Sequence, residues 1–197
     1  MTRRIQFWFE FASTYSYLSA MRVEQVAAQK GVAVDWQPFL LGPIFAAQGW
    51  DNSPFNIYPA KGRYMWRDME RLCKKRGLAF VHPNPFPQNG VLAARLVLAI
   101  EDQDQKAAFV RAVYQAEFAD GRTISDESVL ADCLVVAGLR SDMIARSKDP
   151  AIKEALFEQS KRAQALDLFG APSFVAGDEL FWGDDRLEDA VDFASTI

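Results

Sequence analysis

The chain has 197 residues, half of them hydrophobic and 13% aromatic, which excludes a disordered chain and allows a substantial buried core. With 22 basic and 26 acidic residues the net charge is −4, so nothing points to nucleic acid as a partner. No apolar run approaches the roughly 18 residues that span a bilayer, and the opening M-T-R-R-I-Q-F-W-F-E meets Glu10 too soon for a signal-peptide apolar region, so a cytoplasmic protein with no membrane partner is expected.

In chain order, residues 4–10 are rich in β-formers and alternate weakly, predicting a strand. Residues 14–30 carry apolar positions at helical spacing and stop at Gly31, a helix terminator. Residues 32–40 (V-A-V-D-W-Q-P-F-L) read as a second strand, and strand–helix–strand predicts a parallel pair with a right-handed crossover. Residues 42–60 hold three prolines and two glycines and read as a loop with at most one helical turn. Helices follow over 61–76, which is basic and amphipathic, 90–102 and 105–119. Ser125 is placed to cap a helix running through Ala137, Ser141 a short one, and Asp149-Pro150 opens one to about residue 168. Residues 171–182 read as two short strands joined by Gly177-Asp178, and 183–194 as a closing helix with acids in its first turn. This order predicts an α/β protein of thioredoxin-like layout. Residues 1–41 and 166–197 would form the thioredoxin-like domain, and 42–165 an inserted all-helical domain.

Cys73 and Cys133 lie inside helical patterns and form no C-x-x-C, so neither dithiol redox chemistry nor a zinc site is signalled. The lone His82, in V-H-P-N-P-F-P, reads as a loop histidine with a structural hydrogen bond. Position alone allows two roles for Ser13, at the strand-to-helix junction: a helix N-cap, or a donor to a ligand thiolate. Ala171-Pro172 reads on its own as an ordinary trans proline at a strand start. Asp184 and Asp185 are either solvated first-turn acids or an anion- and ammonium-binding corner. Lys61 on its basic helix reads first as a surface charge. Trp8, Phe45, Trp50, Phe55, Tyr58 and Trp66 are core aromatics or the walls of an apolar pocket beside Ser13, with Trp50, Phe55 and Tyr58 favoured for the wall because they lie in the loop.

Three stretches taken together resemble a family. F7-W-F-E-F-A-S-T-Y-S-Y-L18 is similar to the opening of the kappa-class glutathione transferases and the bacterial 2-hydroxychromene-2-carboxylate isomerases. F169-G-A-P-S-F174 looks like their Phe-Gly-x-Pro segment, and F181-W-G-D-D-R-L187 like their aromatic-Gly-x-Asp-Arg motif. D51-N-S-P54 and K61-G-R-Y-M65 fall where that family has its Asn and Lys. Thr14 stands where the family usually has proline, Glu10 replaces the common Asp, and Asp167 occupies a place that is often Gly.

The resemblance implies a thioredoxin fold of the DsbA and kappa-class arrangement and glutathione as cofactor. Ser13 would stabilise the glutathione thiolate. A cis Ala171-Pro172 bond would leave the Ala171 backbone free to pair with the tripeptide. Asp184 and Asp185 would receive the γ-glutamyl end, and Asn52 and Lys61 the glycyl end. It further implies a homodimer acting on a small aromatic substrate. Isomerase activity leads, with a kappa-like transferase or peroxidase as the alternative enzyme and a non-catalytic peptide-binding module as the third reading.

Overall fold

The computed structural model describes residues 3–197. Strand β1 (Arg4–Phe9) lies at the centre of a four-stranded sheet. It pairs in parallel with β2 (Ala33–Pro38) and antiparallel with β3 (Ser173–Ala176), which pairs with the edge strand β4 (Glu179–Trp182), giving the order β2-β1-β3-β4. The first and last parts of the chain therefore build one sheet, and every element between them is helical. The two-residue turn Gly177-Asp178 joins β3 to β4, as the sequence predicts.

The alternation along β1 sends Ile5, Phe7 and Phe9 to one face and Gln6 and Trp8 to the other. Phe7 sits in register between Trp36 of β2 and Phe174 of β3, its ring centroid 5.1 Å and 5.3 Å from theirs. Aromatic contacts of this kind contribute about 0.5–1.5 kcal/mol each beyond their burial. Helices α1 (Thr14–Ala20), α7 (Gln103–Phe118) and α10 (Leu187–Ala194) share this face and the larger core. On the other face Trp8 packs with Phe39, Ile44 and Ala163, beneath α9 (Pro150–Ala165), and Arg162 lies 5.3 Å over its ring.

Several boundaries depart from expectation. The helix expected over 14–30 is two helices, α1 and α2 (Val23–Ala28). It breaks at Arg22, whose backbone leaves the helical region as its guanidinium reaches the Asp184 carbonyl (2.8 Å) and the Glu188 carboxylate. The expected loop over 42–60 is mostly helical: α3 (Leu41–Ala47), α4 (Pro54–Ile57) and the start of α5 (Pro59–Arg76). Pro54 and Pro59 stand in the first turn of their helices, where the missing N–H would be unpaired anyway and the fixed φ suits the helix. They open helices here, where the sequence predicts a loop. Gly62 lets α5 close onto α4, since a Cβ there would meet the Phe55 carbonyl oxygen at 2.4 Å.

Helix α6 spans Val91–Ala99, and α8 (Glu127–Val136) takes Asp126, not Ser125, at its N-cap position. The expected short helix after Ser141 is a 3-10 helix, Ser141–Lys148, and α9 opens at Pro150 as predicted. The Asp149 side chain makes no capping bond, because its carboxylate takes the Arg146 Nε at 2.9 Å. Before α10 the chain forms a single 3-10 turn, Asp184–Arg186. Among the described residues no helix is long and apolar enough to cross a membrane.

Candidate active site

Where β1 gives way to α1, the chain makes a short turn at Phe11-Ala12 and enters the helix at Ser13. Ser13 is the N-cap: its backbone is extended (φ −90°, ψ 113°), and its Oγ accepts from the Ser16 N–H. The same hydroxyl donates to the Ala171 carbonyl at 2.9 Å. That bond joins two segments 158 residues apart in the chain. The oxygen serves the helix, as the cap reading expects, and the one proton is held by the carbonyl of the neighbouring loop.

Ala171 precedes Pro172 through a cis peptide bond. Its carbonyl is held by Ser13, and among the described residues its N–H has no hydrogen-bond partner. The Pro172 carbonyl accepts from the Gly183 N–H (3.0 Å), which ties this loop to the start of the Gly183-Asp184-Asp185 segment.

Ser13 and Ala171 form part of the wall of a cleft of about 710 Å³, within the usual range for ligand sites. The wall is largely apolar. Phe45, Trp50 and Phe55 line it as expected. Trp8 and Trp66 do not: Trp8 is core, and Trp66 stacks on His82 (4.7 Å) and meets Phe86 edge-on (4.6 Å). Tyr58 is exposed outside the wall. In their place stand Tyr15, Tyr64, Phe86, Phe169 and Trp182. Tyr15, Tyr64, Phe169 and Trp182 lie within the stretches that carry the family resemblance, and Phe86 within the proline-rich segment around His82. Gly170 is required beside them, because a Cβ there would stand 2.3 Å from the Trp182 indole nitrogen.

Asn52 and Lys61 also line the cleft. Asn52 Oδ1 is engaged by Ser53 N–H and Asn56 Nδ2, leaving its amide nitrogen available. The Lys61 ammonium lies 5.6 Å from the Phe55 ring centroid. Pro172, Asp184 and Asp185 are not on the wall.

The Asp184 carboxylate, expected at the γ-glutamyl corner, is engaged by the protein's own groups. It is 5% exposed, and both its oxygens are taken. Arg76 grips them with two bonds (3.0 and 2.6 Å), the Ser19 hydroxyl donates to Oδ1 (2.9 Å), and Arg22 Nε lies 3.5 Å away. Asp185 is exposed, and its carboxylate lies 3.5 Å from the Arg186 guanidinium.

Glu10, marked in the sequence only as a variant of the family motif, is a wall residue. Its Oε2 accepts from the Leu41 N–H (2.9 Å), and burial pushes its carboxyl up to about 7 against that bond. Tyr15, also on the wall, donates to Asp68 (3.0 Å); burial and that acid push its hydroxyl well above the usual tyrosine range.

A DsbA-like thioredoxin domain matches residues 4–193, nearly the whole described chain. The chain belongs to the DsbA-like thioredoxin family. Within it, the chain is 30% identical over 190 residues to the 2-hydroxychromene-2-carboxylate isomerase of Sphingobium xenophagum, covering 95% of this chain and 96% of that one. It is 25% identical to glutathione S-transferase kappa 1 of Caenorhabditis elegans, covering 93% and 87%. A solved 2-hydroxychromene-2-carboxylate isomerase superposes with a TM-score of 0.85 at 26% identity, over 93% of this chain and 90% of that one. This member of the DsbA-like family has a serine at the start of α1 and two cysteines that are both buried. Burial pushes each of those thiols up to about 11, so they are protonated at neutral pH.

Proposed function

We propose that the protein is a glutathione-dependent isomerase acting on 2-hydroxychromene-2-carboxylate or a closely similar aromatic catabolite, giving trans-o-hydroxybenzylidenepyruvate. The observation that carries this reading is the Ser13–Ala171 hydrogen bond on the wall of an aromatic-lined cleft. The names of the relatives supply the substrate class and the tripeptide.

The polar groups on the wall fit a tripeptide. The Ala171 N–H, the Asn52 amide nitrogen and the Lys61 ammonium have hydrogen-bonding capacity to spare, and the Ser13 Oγ–H is held by the Ala171 carbonyl until it turns. Ala171 would pair with the peptide backbone as an added strand does. Asn52 and Lys61 would take the glycyl end, and Asp185, at the C-terminal motif, the γ-glutamyl ammonium. Bound glutathione supplies a thiol sulfur that adds reversibly to the substrate's conjugated double bond and so allows it to rotate.

This chain's own contribution is to hold that sulfur as a thiolate. Turning the Ser13 hydroxyl from the Ala171 carbonyl toward the cleft gives a charge-assisted hydrogen bond of about 1.5–3 kcal/mol. That lowers a thiol pKa of about 8.5 by roughly one to two units, enough to populate the nucleophile at neutral pH. On this reading the protein works as a cytoplasmic homodimer with small-molecule partners.

Following chromene carboxylate by absorbance with and without glutathione tests the proposal, and equal rates in the two would end it. The kappa-class relative favours a second reading, a transferase conjugating glutathione to electrophiles from the same site. Turnover of 1-chloro-2,4-dinitrobenzene above that of the chromene would put the transferase first.

A further inference from the structure

β1 leads straight into Glu10, three residues before Ser13. Only one oxygen of the Glu10 carboxyl is anchored, on Leu41 N–H at the start of α3. The other has no hydrogen-bond partner among the described residues, yet it is not sealed from solvent. The side chain is only partly buried, and it lines the cleft. Tyr114 of α7 donates to the Glu10 carbonyl (2.7 Å) and so fixes the backbone that carries the carboxyl.

Glu117, three residues further along α7, is wholly buried, and neither of its oxygens has a partner. A lone carboxylate is too costly to bury unpaired, so Glu117 is held as the neutral acid, its proton retained by burial and then by the nearness of Glu10. The groups facing Glu10 are therefore Leu41 N–H from α3 and Tyr114 and Glu117 from α7. Among the described residues no lysine or arginine forms an ion pair with it. A carboxyl paired to arginine would stay ionised, and one sealed in the core would be inert. Glu10 is neither.

We propose that Glu10 is an acid–base residue of the cleft, carrying the proton that opening a cyclic hemiketal requires. The inference takes its substrate from the isomerase reading. A 2-hydroxychromene-2-carboxylate bears a hydroxyl and the ring oxygen on the same carbon. Glu10, as carboxylate, accepts the proton of that hydroxyl. The O–H pair becomes the new C=O π bond, and the bond from carbon to the ring oxygen breaks, leaving its pair on the phenolate oxygen. Glu10 then returns the proton to that oxygen. Protons and electrons balance, no outside reactant is needed, and the product is the open cis compound with its conjugated double bond free for thiol addition. Burial holds the Glu10 carboxyl near 7, where both of its forms are populated at neutral pH and the proton can move either way.

Ring opening needs no thiol, so it is measured without one. NMR exchange spectroscopy reads the interconversion of ring-closed and open cis forms in the presence of the free protein. The wild-type chain accelerates the exchange, and Glu10→Gln, whose amide oxygen still accepts from Leu41 N–H, lowers that acceleration about 10²-fold. Should Glu10→Gln not fold, Glu10→Asp is read instead, with the pH profile of its exchange displaced from that of the wild type. A carboxyl 13C titration, assigned by its loss in Glu10→Gln, gives a midpoint about 7. Exchange unchanged in Glu10→Gln, or a midpoint at the ordinary 4.5, overturns the role. A wild-type protein that turns over chromene with glutathione but does not speed exchange overturns the role of Glu10 alone. One that does not act on chromene at all overturns both readings.

Discussion

Replacing Asp184 with asparagine separates a structural latch from a ligand acid. Asp184 joins four parts of the chain: Arg76 at the end of α5, Ser19 in α1, Arg22 between α1 and α2, and its own turn before α10. Asparagine keeps the size and one acceptor. It removes the charge and turns an N–H₂ toward the Arg76 fork, whose only ion-pair partner among the described residues is Asp184. Removing one member of a buried pair costs about 3–5 kcal/mol, because the other charge stays desolvated.

The Arg76 and Arg22 side chains are 25% and 19% exposed, so water recovers part of that cost and the low end applies, about 3 kcal/mol. For a chain of this size that is a drop of roughly 6–12 °C in Tm. With a urea slope of about 3 kcal/mol/M it is about 1 M in midpoint at unchanged slope. Urea unfolding followed by circular dichroism reads the midpoint, and calorimetric titration with glutathione reads binding to the folded variant. A midpoint within about 0.2 M of wild type, or a stable variant that has lost glutathione affinity, would refute the assignment of Asp184 to the frame.

Ser13→Ala raises the pKa of the bound thiol by about one to two units, read from thiolate absorbance near 240 nm against pH, and an unmoved titration would contradict the donor role; loss of the cap also costs about 1 kcal/mol in urea unfolding. Gly170→Ala drives the Trp182 indole off the cleft wall, raising KM for aromatic substrate and changing tryptophan fluorescence; unchanged values of both would show that the wall does not depend on that contact. Glu10 and Glu117 have folded-state pKa values above their ordinary 4.5, so the native state retains protons that the unfolded chain has released. The stability they contribute is present below about 4.5 and lost as pH rises, through about 7 for Glu10 and well above the ordinary 4.5 for Glu117. Urea midpoints therefore fall between pH 5 and 8, and Glu117→Gln, which cannot ionise, makes the fall shallower. A midpoint that rises over that interval, or an equal fall in Glu117→Gln, would contradict the burial argument.

The sequence by itself determined the order of the strands and the place of the strand-to-helix junction. β-formers before Ser13, helical spacing after it and the Gly177-Asp178 turn are local signals, governed by backbone preference and side-chain period, and they survive in the fold. The prolines of 42–60 are ambiguous for a local reason: proline ends a helix or begins one, and only the flanking pairing decides which. Tertiary structure alone decided which of two neighbouring acids meets solvent. Asp184 and Asp185 are equivalent as text, but the turn aims one at Arg76 and leaves the other outside. It also decided that Trp8 is core while Trp182 is wall, and that Glu10 stands open to a cleft with a neutral acid behind it. Such distinctions depend on which distant groups share a low-dielectric space, and adjacency in the chain carries no information about that.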